Sequence, residues 1–201
     1  MLAPIGFDLD LTLIDSRATI LDTFAALAAE TGVPIDLTQV QARLGVKLED
    51  ELAHWFAPVE LDRAAARYRE RYVRLARTCT PVLPGARAAL EAVRESGRRI
   101  LIVTAKQGVS VSASLEAAHL VADEVVAHVH GPEKSEVLRR AGAAMYVGDT
   151  PADMLAACGA SALAVGVTTG SFGREDLVEA AAGVVLASLE LFPAWYASYQ
   201  A

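Results

Sequence analysis

The sequence is poor in cysteine, carries no excess of basic charge and has no long apolar run, and each absence excludes a class of protein. Its two cysteines, Cys79 and Cys158, are isolated thiols with neither redox nor zinc spacing, which favours a reduced environment. The formal net charge of −7 disfavours a nucleic-acid or anionic-membrane partner, since either would need a basic face. No apolar run reaches the length of a membrane span, and Asp8 leaves no room for an apolar signal segment before it. We therefore expect a cytoplasmic protein, monomeric or dimeric.

What the sequence does contain is enough apolar material for a sizeable core. Apolar residues make up 53% of the 201 positions and charged residues 21%, which suits one domain, or one domain with a smaller insert. After an opening strand, only helical patterns follow: one helix that stops at Gly32, then helices at 37–44, 48–56 and 61–78. From Thr80 onward, helices and strands alternate.

The alternating part predicts helices at 85–96, 109–119, 134–141, 151–158 and 174–181, and strands at 99–103, 124–129, 144–148, 161–166 and 184–186. Such alternation is typical of a parallel sheet with helices on both faces. We therefore predict an α/β fold: a doubly wound parallel sheet, with a Rossmann-like core at residues 1–15 and 80–201. An all-helical block, residues 16–79, is inserted into it.

The opening stretch Ile5–Leu13 places two aspartates two positions apart at the end of an apolar strand. Alternation at period two would put Asp8 and Asp10 on the same side of an extended segment. Two carboxylates that point one way repel each other unless a cation lies between them, and Mg²⁺ is the usual intracellular choice. The alternative is a strand followed by an ordinary Asx-type turn.

Three later stretches favour the functional interpretation. Ile100–Val103 is an apolar strand followed by Thr104, Lys134 opens a helix after a Gly-Pro turn, and Met145–Gly148 leads into Asp149 and Asp153. In doubly wound sheets, ligands bind beyond the carboxyl ends of the strands, where the strand order reverses. Asp8, Thr104 and Asp149 are therefore expected to converge on one crevice.

In this order, the four motifs resemble those of the haloacid dehalogenase superfamily, over essentially the whole chain. The pattern looks most like the phosphoglycolate phosphatase branch, which has a helical cap inserted after the first motif. The resemblance implies a Mg²⁺-dependent phosphomonoester phosphatase that acts on a small soluble phosphorylated metabolite through an aspartyl-phosphate intermediate.

The resemblance also implies roles for individual residues. Asp8 would be the nucleophile and Asp10 the general acid and base. Asp8, Asp10 through its backbone carbonyl, Asp149 and Asp153 would form the metal site, with Asp153 bound directly or through water. Thr104 and Lys134 would complete the catalytic set, and Leu9 and Ala105 would bind the phosphate group of the substrate. Lys106 remains an alternative to Lys134 as the lysine of the phosphate site.

Substrate choice is expected to depend on the helical cap. The loop 43–47 lies where capped relatives carry a specificity loop, and Arg43 and Lys47 are its only charged side chains. Both are predicted to bind the substrate, and the alternative is that they decorate a solvated turn.

Several other side chains are expected to be structural. We predict packing roles for Trp55, Phe56 and Trp195, and expect residues 192–196 to dock onto the sheet. His128 and His130 lie two positions apart, but two histidines without a matching carboxylate would make a weak metal site, so we assign them no functional role. The arginines of the helix at 61–78 are expected to form a solvated face with Glu60, Asp62 and Glu70.

Two other functions stay open at this point. A sugar phosphomutase of the β-phosphoglucomutase type keeps both aspartates of the first motif. A non-catalytic binding module on the same fold would be expected to have lost Asp8, Asp10 or Asp149, and all three are present.

Overall fold

The computed structural model describes residues 2–78 and 80–200, so Cys79 lies outside the described residues. In this part of the chain, one parallel sheet has the strand order β3-β2-β1-β4-β5-β6. The strands are β1 (Ile5–Phe7), β2 (Ile100–Val103), β3 (Glu124–Val126), β4 (Met145–Gly148), β5 (Leu163–Val167) and β6 (Val184–Leu186). The order reverses at β1 and β4, so the predicted doubly wound α/β class is confirmed.

Helices cover both faces of this sheet. They are α5 (Ala86–Glu95), α6 (Gly108–Ala118), α7 (Pro132–Ala141), α8 (Pro151–Gly159), α9 (Arg174–Glu179) and α10 (Phe192–Gln200). Successive strand residues point to opposite faces, so Ile100 and Ile102 of β2 join one apolar core while Leu101 joins the other. A strand buried on both faces needs an unbroken apolar sequence, which is why these strands show no polar alternation.

The inserted helices form a layer of their own between β1 and α5. They are α1 (Arg17–Thr31), α2 (Leu37–Ala42), α3 (Leu48–Leu52) and α4 (Leu61–Thr78). Phe24, Leu52, Tyr68 and Tyr72 share an apolar cluster, and Ala113 of α6 joins that cluster from the sheet domain. Among the helices that the structure describes, none is long and apolar enough to span a membrane.

The two connections between the insert and the sheet domain run side by side. Ile14 and Val82 form an antiparallel bridge. The Asp15 N–H donates to the Pro81 carbonyl at 2.8 Å, and the Leu83 N–H donates to the Leu13 carbonyl at 3.0 Å. The chain therefore enters and leaves the insert at a single paired segment.

Left-handed residues shorten several predicted strands. The opening strand ends at Phe7, and the chain turns at Leu11 (φ 59°), so the segment is not extended through Asp10 as expected. The strand predicted at 124–129 ends at Val126, shortly before His128 (φ 62°). The strand predicted at 161–166 begins only at Leu163, because Ser161 (φ 58°) still belongs to a turn.

Two helices of the insert are also shorter than predicted, and the arginines of α4 are not simply solvated. The helices predicted at 37–44 and 48–56 end at Ala42 and Leu52, where turns follow. Arg67 and Arg71 of α4 pair with Glu30 of α1, and Arg69 pairs with Glu49 of α3. These ion pairs join helices, so they depend on tertiary neighbours that a local charge pattern does not show.

The C-terminal helix packs against the sheet as predicted. Phe192 is fully buried, and its ring centroid lies 5.7 Å from that of Phe7. Tyr196 stacks on Phe192, with centroids 5.2 Å apart, and Trp195 packs against the same core.

We expect Phe192→Ala to lower the free energy of unfolding by about 3–5 kcal/mol, since it leaves a cavity beneath β1. Chemical denaturation would measure the loss. Leu191→Ala is the matched control, because Leu191 is 52% exposed, and its effect should stay within about 0.5 kcal/mol. Equal losses in both variants would contradict the docking role of Phe192.

Candidate active site

A crevice of about 580 Å³ lies between the carboxyl ends of the strands and the helical insert. Asp8 follows β1, Thr104 follows β2 and Asp149 follows β4, and all three line the crevice. Asp10, Lys134 and Asp153 line it as well. The side chains that the sequence motifs single out are therefore neighbours, although as many as 145 positions separate them along the chain, from Asp8 to Asp153.

Lys134 lies at the centre of these contacts. Helix α7 begins at Pro132, after Gly131, and this start directs Lys134 of its first turn into the crevice. Its Nζ donates to Asp8 Oδ1 at 2.8 Å, to Asp153 Oδ1 at 2.7 Å and to the Tyr146 hydroxyl at 3.1 Å. Burial lowers the pKa of Lys134, but Asp153 and Asp8 raise it further, so the pKa lies well above its usual value. The lysine is therefore charged at neutral pH.

Three buried carboxylates, those of Asp8, Asp149 and Asp153, face one another. Each contributes an oxygen to a group whose members lie within 4.8 Å of one another. Burial raises the pKa of Asp8 to about 7; Lys134 opposes the shift, while Asp153 adds to it. Burial, and then Asp153 and Asp8, raise the pKa of Asp149 well above its usual value.

The raised pKa of Asp8 has a consequence for stability. A group whose folded-state pKa lies above its unfolded value contributes stability below the unfolded pKa and loses that contribution as the pH rises through the folded one. For Asp8 this window runs from the ordinary value of 3.8 up to about 7. A divalent cation bound among the three carboxylates would offset the loss, because it stabilises their ionised forms.

The residues around Asp149 fit a cation. The Thr12 hydroxyl donates to Asp149 Oδ1 at 3.0 Å, while Asp149 Oδ2 is buried without a hydrogen-bond partner in the described part of the chain. A buried carboxylate oxygen without a partner lowers the stability of the fold unless a ligand binds to it. A methyl group on Gly170 would lie 1.9 Å from this oxygen, so only glycine leaves room beside it.

Asp153 is already held by protein groups. Its Oδ2 accepts from the Thr150 N–H at 3.2 Å and from the Thr150 hydroxyl at 2.7 Å, which closes a capping box at the start of α8. Its Oδ1 accepts from Lys134. Asp153 thus positions Lys134 and the start of α8 as well as completing the acidic cluster.

Asp10 points to a different partner from Asp8. Lys106 Nζ lies 2.7 Å from Asp10 Oδ1 in an ion pair, and it also donates to the Tyr72 hydroxyl of α4. Lys134 contacts Asp8, whereas Lys106 contacts Asp10. The two candidate lysines of the phosphate site therefore bind different carboxylates.

Of the predicted phosphate-binding residues, Thr104 and Ala105 line the crevice, whereas Leu9 is not among its lining residues. Thr104 is buried, and its Oγ1 accepts from the Lys106 N–H at 3.2 Å, while Ala105 lines the crevice. The Leu9 side chain is fully buried in the core, and its carbonyl accepts from the Leu13 and Ile14 N–H groups. Any contact of Leu9 with a substrate would therefore have to use its N–H.

The insert contributes the opposite wall of the crevice. Arg43 lines it, but its guanidinium is held by Glu51, with Nε 2.7 Å from Oε2 and Nη2 2.8 Å from Oε1. Trp55 also donates to Glu51, at 2.9 Å, in addition to its predicted packing role. Lys47 lines the crevice and is exposed.

His128 and His130 follow the strand β3. Both line the crevice, because the chain leaves β3 at Val126 and turns at His128. Burial, then Lys47 and His128, lower the pKa of His130, so its ring is neutral.

Sequence reasoning assigned no site role to Tyr146, Glu51 or Tyr68. Tyr146 is fully buried, contacts Lys134 and donates to the Val103 carbonyl at 2.6 Å. A tyrosine within the apolar strand Met145–Gly148 is the one local signal, since a buried hydroxyl needs a partner.

Comparison with known proteins gives consistent matches. The family described as Haloacid dehalogenase-like hydrolase matches residues 5–167. "Probable phosphatase IndB" of Dickeya dadantii (strain 3937) is 30% identical over 200 residues, covering 90% of this chain and 87% of that protein.

Solved structures share the fold. A hydrolase from Pseudomonas syringae superposes with a TM-score of 0.81 at 22% identity, covering 97% of this chain and 98% of its own. A predicted phosphoglycolate phosphatase from Haemophilus somnus 129pt superposes with a TM-score of 0.80 at 19% identity, covering 96% and 97%.

We expect Gly170→Ala to weaken cation binding, because the new methyl group must displace Asp149. Mg²⁺ at about 100 times its Kd should stabilise the wild type by about 2.7 kcal/mol, and the same concentration should stabilise the variant much less. Thermal unfolding with and without Mg²⁺ would measure both. In the control Gly173→Ala, the nearest atom to the new methyl group is 3.6 Å away, so the Mg²⁺ response should not change. A full response in Gly170→Ala would exclude Asp149 as the cation ligand.

Proposed function

Since the chain belongs to the haloacid dehalogenase-like hydrolases, we propose that it is a Mg²⁺-dependent phosphatase of small phosphorylated metabolites. The observation that carries the proposal is the contact between Lys134 and Asp8 at 2.8 Å, beside two further buried carboxylates. A carboxylate held by an ammonium group at the carboxyl end of a strand can act as a nucleophile toward phosphorus. The same ammonium group can neutralise charge on the phosphoryl oxygens.

The proposed reaction has two steps. A carboxylate oxygen of Asp8 attacks phosphorus, and the bond from phosphorus to the alcohol oxygen breaks while Asp10 gives its proton to that oxygen. Water then attacks phosphorus of the aspartyl phosphate and gives a proton to Asp10, which releases inorganic phosphate and restores Asp8. Thr104 and the Ala105 N–H bind phosphoryl oxygens, and Lys134 holds Asp8 in place.

The Mg²⁺ ion would be held by Asp8, by the Asp10 carbonyl and by Asp149, whose Oδ2 has no protein partner among the described residues. When bound, it supplies positive charge between the carboxylates and the anionic phosphoryl group. Asp153 would act through water, because both of its oxygens already accept hydrogen bonds from Thr150 and Lys134.

We expect phosphate release from at least one metabolite in a panel of phosphomonoesters when Mg²⁺ is present, and none in excess chelator. Asp8→Asn should lower kcat by about 10³-fold or more, since a covalent nucleophile is lost. An unchanged melting temperature would show that Asp8→Asn is folded.

Other outcomes of the same experiment identify the alternatives. Full activity in chelator, or activity of Asp8→Asn within a few-fold of the wild type, would exclude the proposed mechanism. Formation of a sugar phosphate isomer in place of free phosphate would indicate a phosphomutase. Binding of phosphate analogues without turnover of any ester would indicate a non-catalytic module.

We also propose that residues 16–79 act as a cap over the crevice. Two features support this proposal: the paired connections at Ile14 and Val82, and the position of Gly45, whose Cβ if present would lie 3.0 Å from Thr150 Cγ2 of the sheet domain. A layer attached at one paired segment can rock over the crevice as a unit.

Under this proposal, we expect Lys47→Ala to lower kcat/KM for the best metabolite by a few-fold, the size of effect that an exposed charged group produces. Hydrolysis of p-nitrophenyl phosphate should change much less, since that ester offers the cap few polar groups. Arg74→Ala is the control, because Arg74 is exposed on α4 and pairs with Glu70. Equal losses on both esters would point to damage at the phosphate site, and no loss on either would exclude Lys47 from substrate binding.

A further inference from the structure

The cationic side chains that line the crevice are almost all neutralised. On the insert side, three cations face three anions: Arg43, Lys47 and Arg69, with Glu49, Asp50 and Glu51. Arg43 is held by Glu51 and Arg69 by Glu49. On the sheet side, Lys106 is paired with Asp10, and Lys134 with Asp8 and Asp153.

Among the described lysines and arginines that line the crevice, Lys47 is the exception. It has no carboxylate within 4.0 Å in the described part of the chain, but its side chain is exposed at the rim. An exposed ammonium group is screened by water and contributes little to an ion pair. Among residues 2–78 and 80–200, none thus offers a free cation in the interior of the crevice for a second anionic group of a substrate.

An aromatic and apolar wall lies next to this charge-balanced region. Phe24 and Tyr68 line the crevice with ring centroids 4.7 Å apart, and Tyr72 continues the row at 6.1 Å from Tyr68. Val40 and Leu44 lie on the same side of the crevice. A wall of this kind favours an apolar or flat portion of a ligand.

Two neutral polar groups in the crevice have no partner. Tyr68 is 93% buried, being 7% exposed, and among residues 2–78 and 80–200 its hydroxyl has no hydrogen bond. His130 Nε2 is buried and equally without a partner in that part of the chain. Buried polar atoms are normally satisfied, so the unpartnered His130 Nε2 points to a hydrogen bond with a bound molecule, and the Tyr68 hydroxyl is available for a second one.

We infer that the crevice selects a phosphate monoester of an uncharged alcohol. The apolar part of that alcohol lies on Phe24 and Tyr68, and its hydroxyl, carbonyl or amide groups bond to the Tyr68 hydroxyl and His130 Nε2. A leaving group with its own carboxylate is disfavoured, because that carboxylate would be buried against Glu49 and Glu51 without a free cation. This inference rests on the proposed phosphatase function and specifies its substrate class.

The test compares two esters that differ in one group: glycerol 3-phosphate, which is uncharged beyond its phosphate, and 3-phosphoglycerate, which carries a carboxylate. We expect kcat/KM to favour the uncharged ester by about tenfold or more, since a buried unpaired charge is costly. The Kd values of the folded Asp8→Asn variant should show the same preference. Equal or reversed preference would overturn the inference while leaving the phosphatase proposal intact. Lack of phosphate release from every ester tested would overturn both.

Glu51→Gln should shift this preference, because it leaves the Arg43 charge uncompensated. We expect the ratio of 3-phosphoglycerate to glycerol 3-phosphate activity to rise about tenfold, the effect of one charged hydrogen bond. If Glu51→Gln fails to fold, Glu49→Gln can replace it, because it removes the carboxylate that pairs with Arg69. The same activity ratio is then measured. Glu70→Gln, which removes the partner of Arg74 on the outer face of α4, should leave the ratio unchanged. An unchanged ratio in both crevice variants would overturn the inference.

Tyr68→Phe tests the neutral hydrogen bond. It should lower kcat/KM for glycerol 3-phosphate several-fold and change p-nitrophenyl phosphate hydrolysis little, because the aryl ester has no hydroxyl for Tyr68 to bind. Tyr199→Phe removes a hydroxyl from a tyrosine that is 53% exposed on α10, and should change neither. Equal losses on both esters in Tyr68→Phe would assign Tyr68 a packing role and overturn its part in the inference.

Discussion

The ion pairs between the Lys134 ammonium group and the carboxylates of Asp8 and Asp153 are the interaction on which the rest of the site depends. All three side chains are at least nine-tenths buried. A buried charge that loses its partner is strongly destabilising, so these groups fix one another's positions. Tyr146 adds a link to the sheet, since its hydroxyl accepts from Lys134 and donates to the Val103 carbonyl of β2. The carboxyl ends of β1, β2 and β4 are thereby tied through one ammonium group.

The carboxylates in this region outnumber the ammonium groups, which favours binding of a cation before binding of a phosphate. Three carboxylates are clustered, and one ammonium group pairs with two of them, so a dianionic phosphate that approached them alone would be repelled. Under the proposed mechanism, a cation bound first at Asp149 would remove that repulsion. The same carboxylates lower the stability of the cation-free fold above neutral pH, so the arrangement that serves the proposed chemistry also costs stability.

The sequence was sufficient for the fold class and for much of the site, and the reason is geometric. Parallel strands bring their carboxyl ends to one edge, so residues that follow β1, β2 and β4 had to converge, as Asp8, Thr104 and Asp149 do. The roles assigned to these residues remain predictions. Strand ends were less predictable, because Leu11, His128 and Ser161 adopt left-handed conformations that their residue types rarely signal.

The insert wall of the crevice could not be predicted for a different reason. The arginines of α4 looked like a solvated face because their partners lie on other helices, as with Arg69 and Glu49. Arg43 was predicted to bind the substrate, and its pairing with Glu51 across a turn gave no local signal. Tyr68 looked like a core residue, and it is one, but it also lines the crevice. Whether a buried side chain also borders a ligand depends on how the helical insert packs against the sheet domain. The periodicity of one helix carries no information about that packing.

The side-by-side connections at Ile14 and Val82 make the insert modular. The two ends of residues 16–79 are neighbours, so exchanging this whole segment for another helical unit would leave the ladder of the sheet unbroken. The acidic cluster and Lys134 belong entirely to the part that would stay. Evolution could therefore vary this wall of the crevice while the acidic cluster and Lys134 are kept.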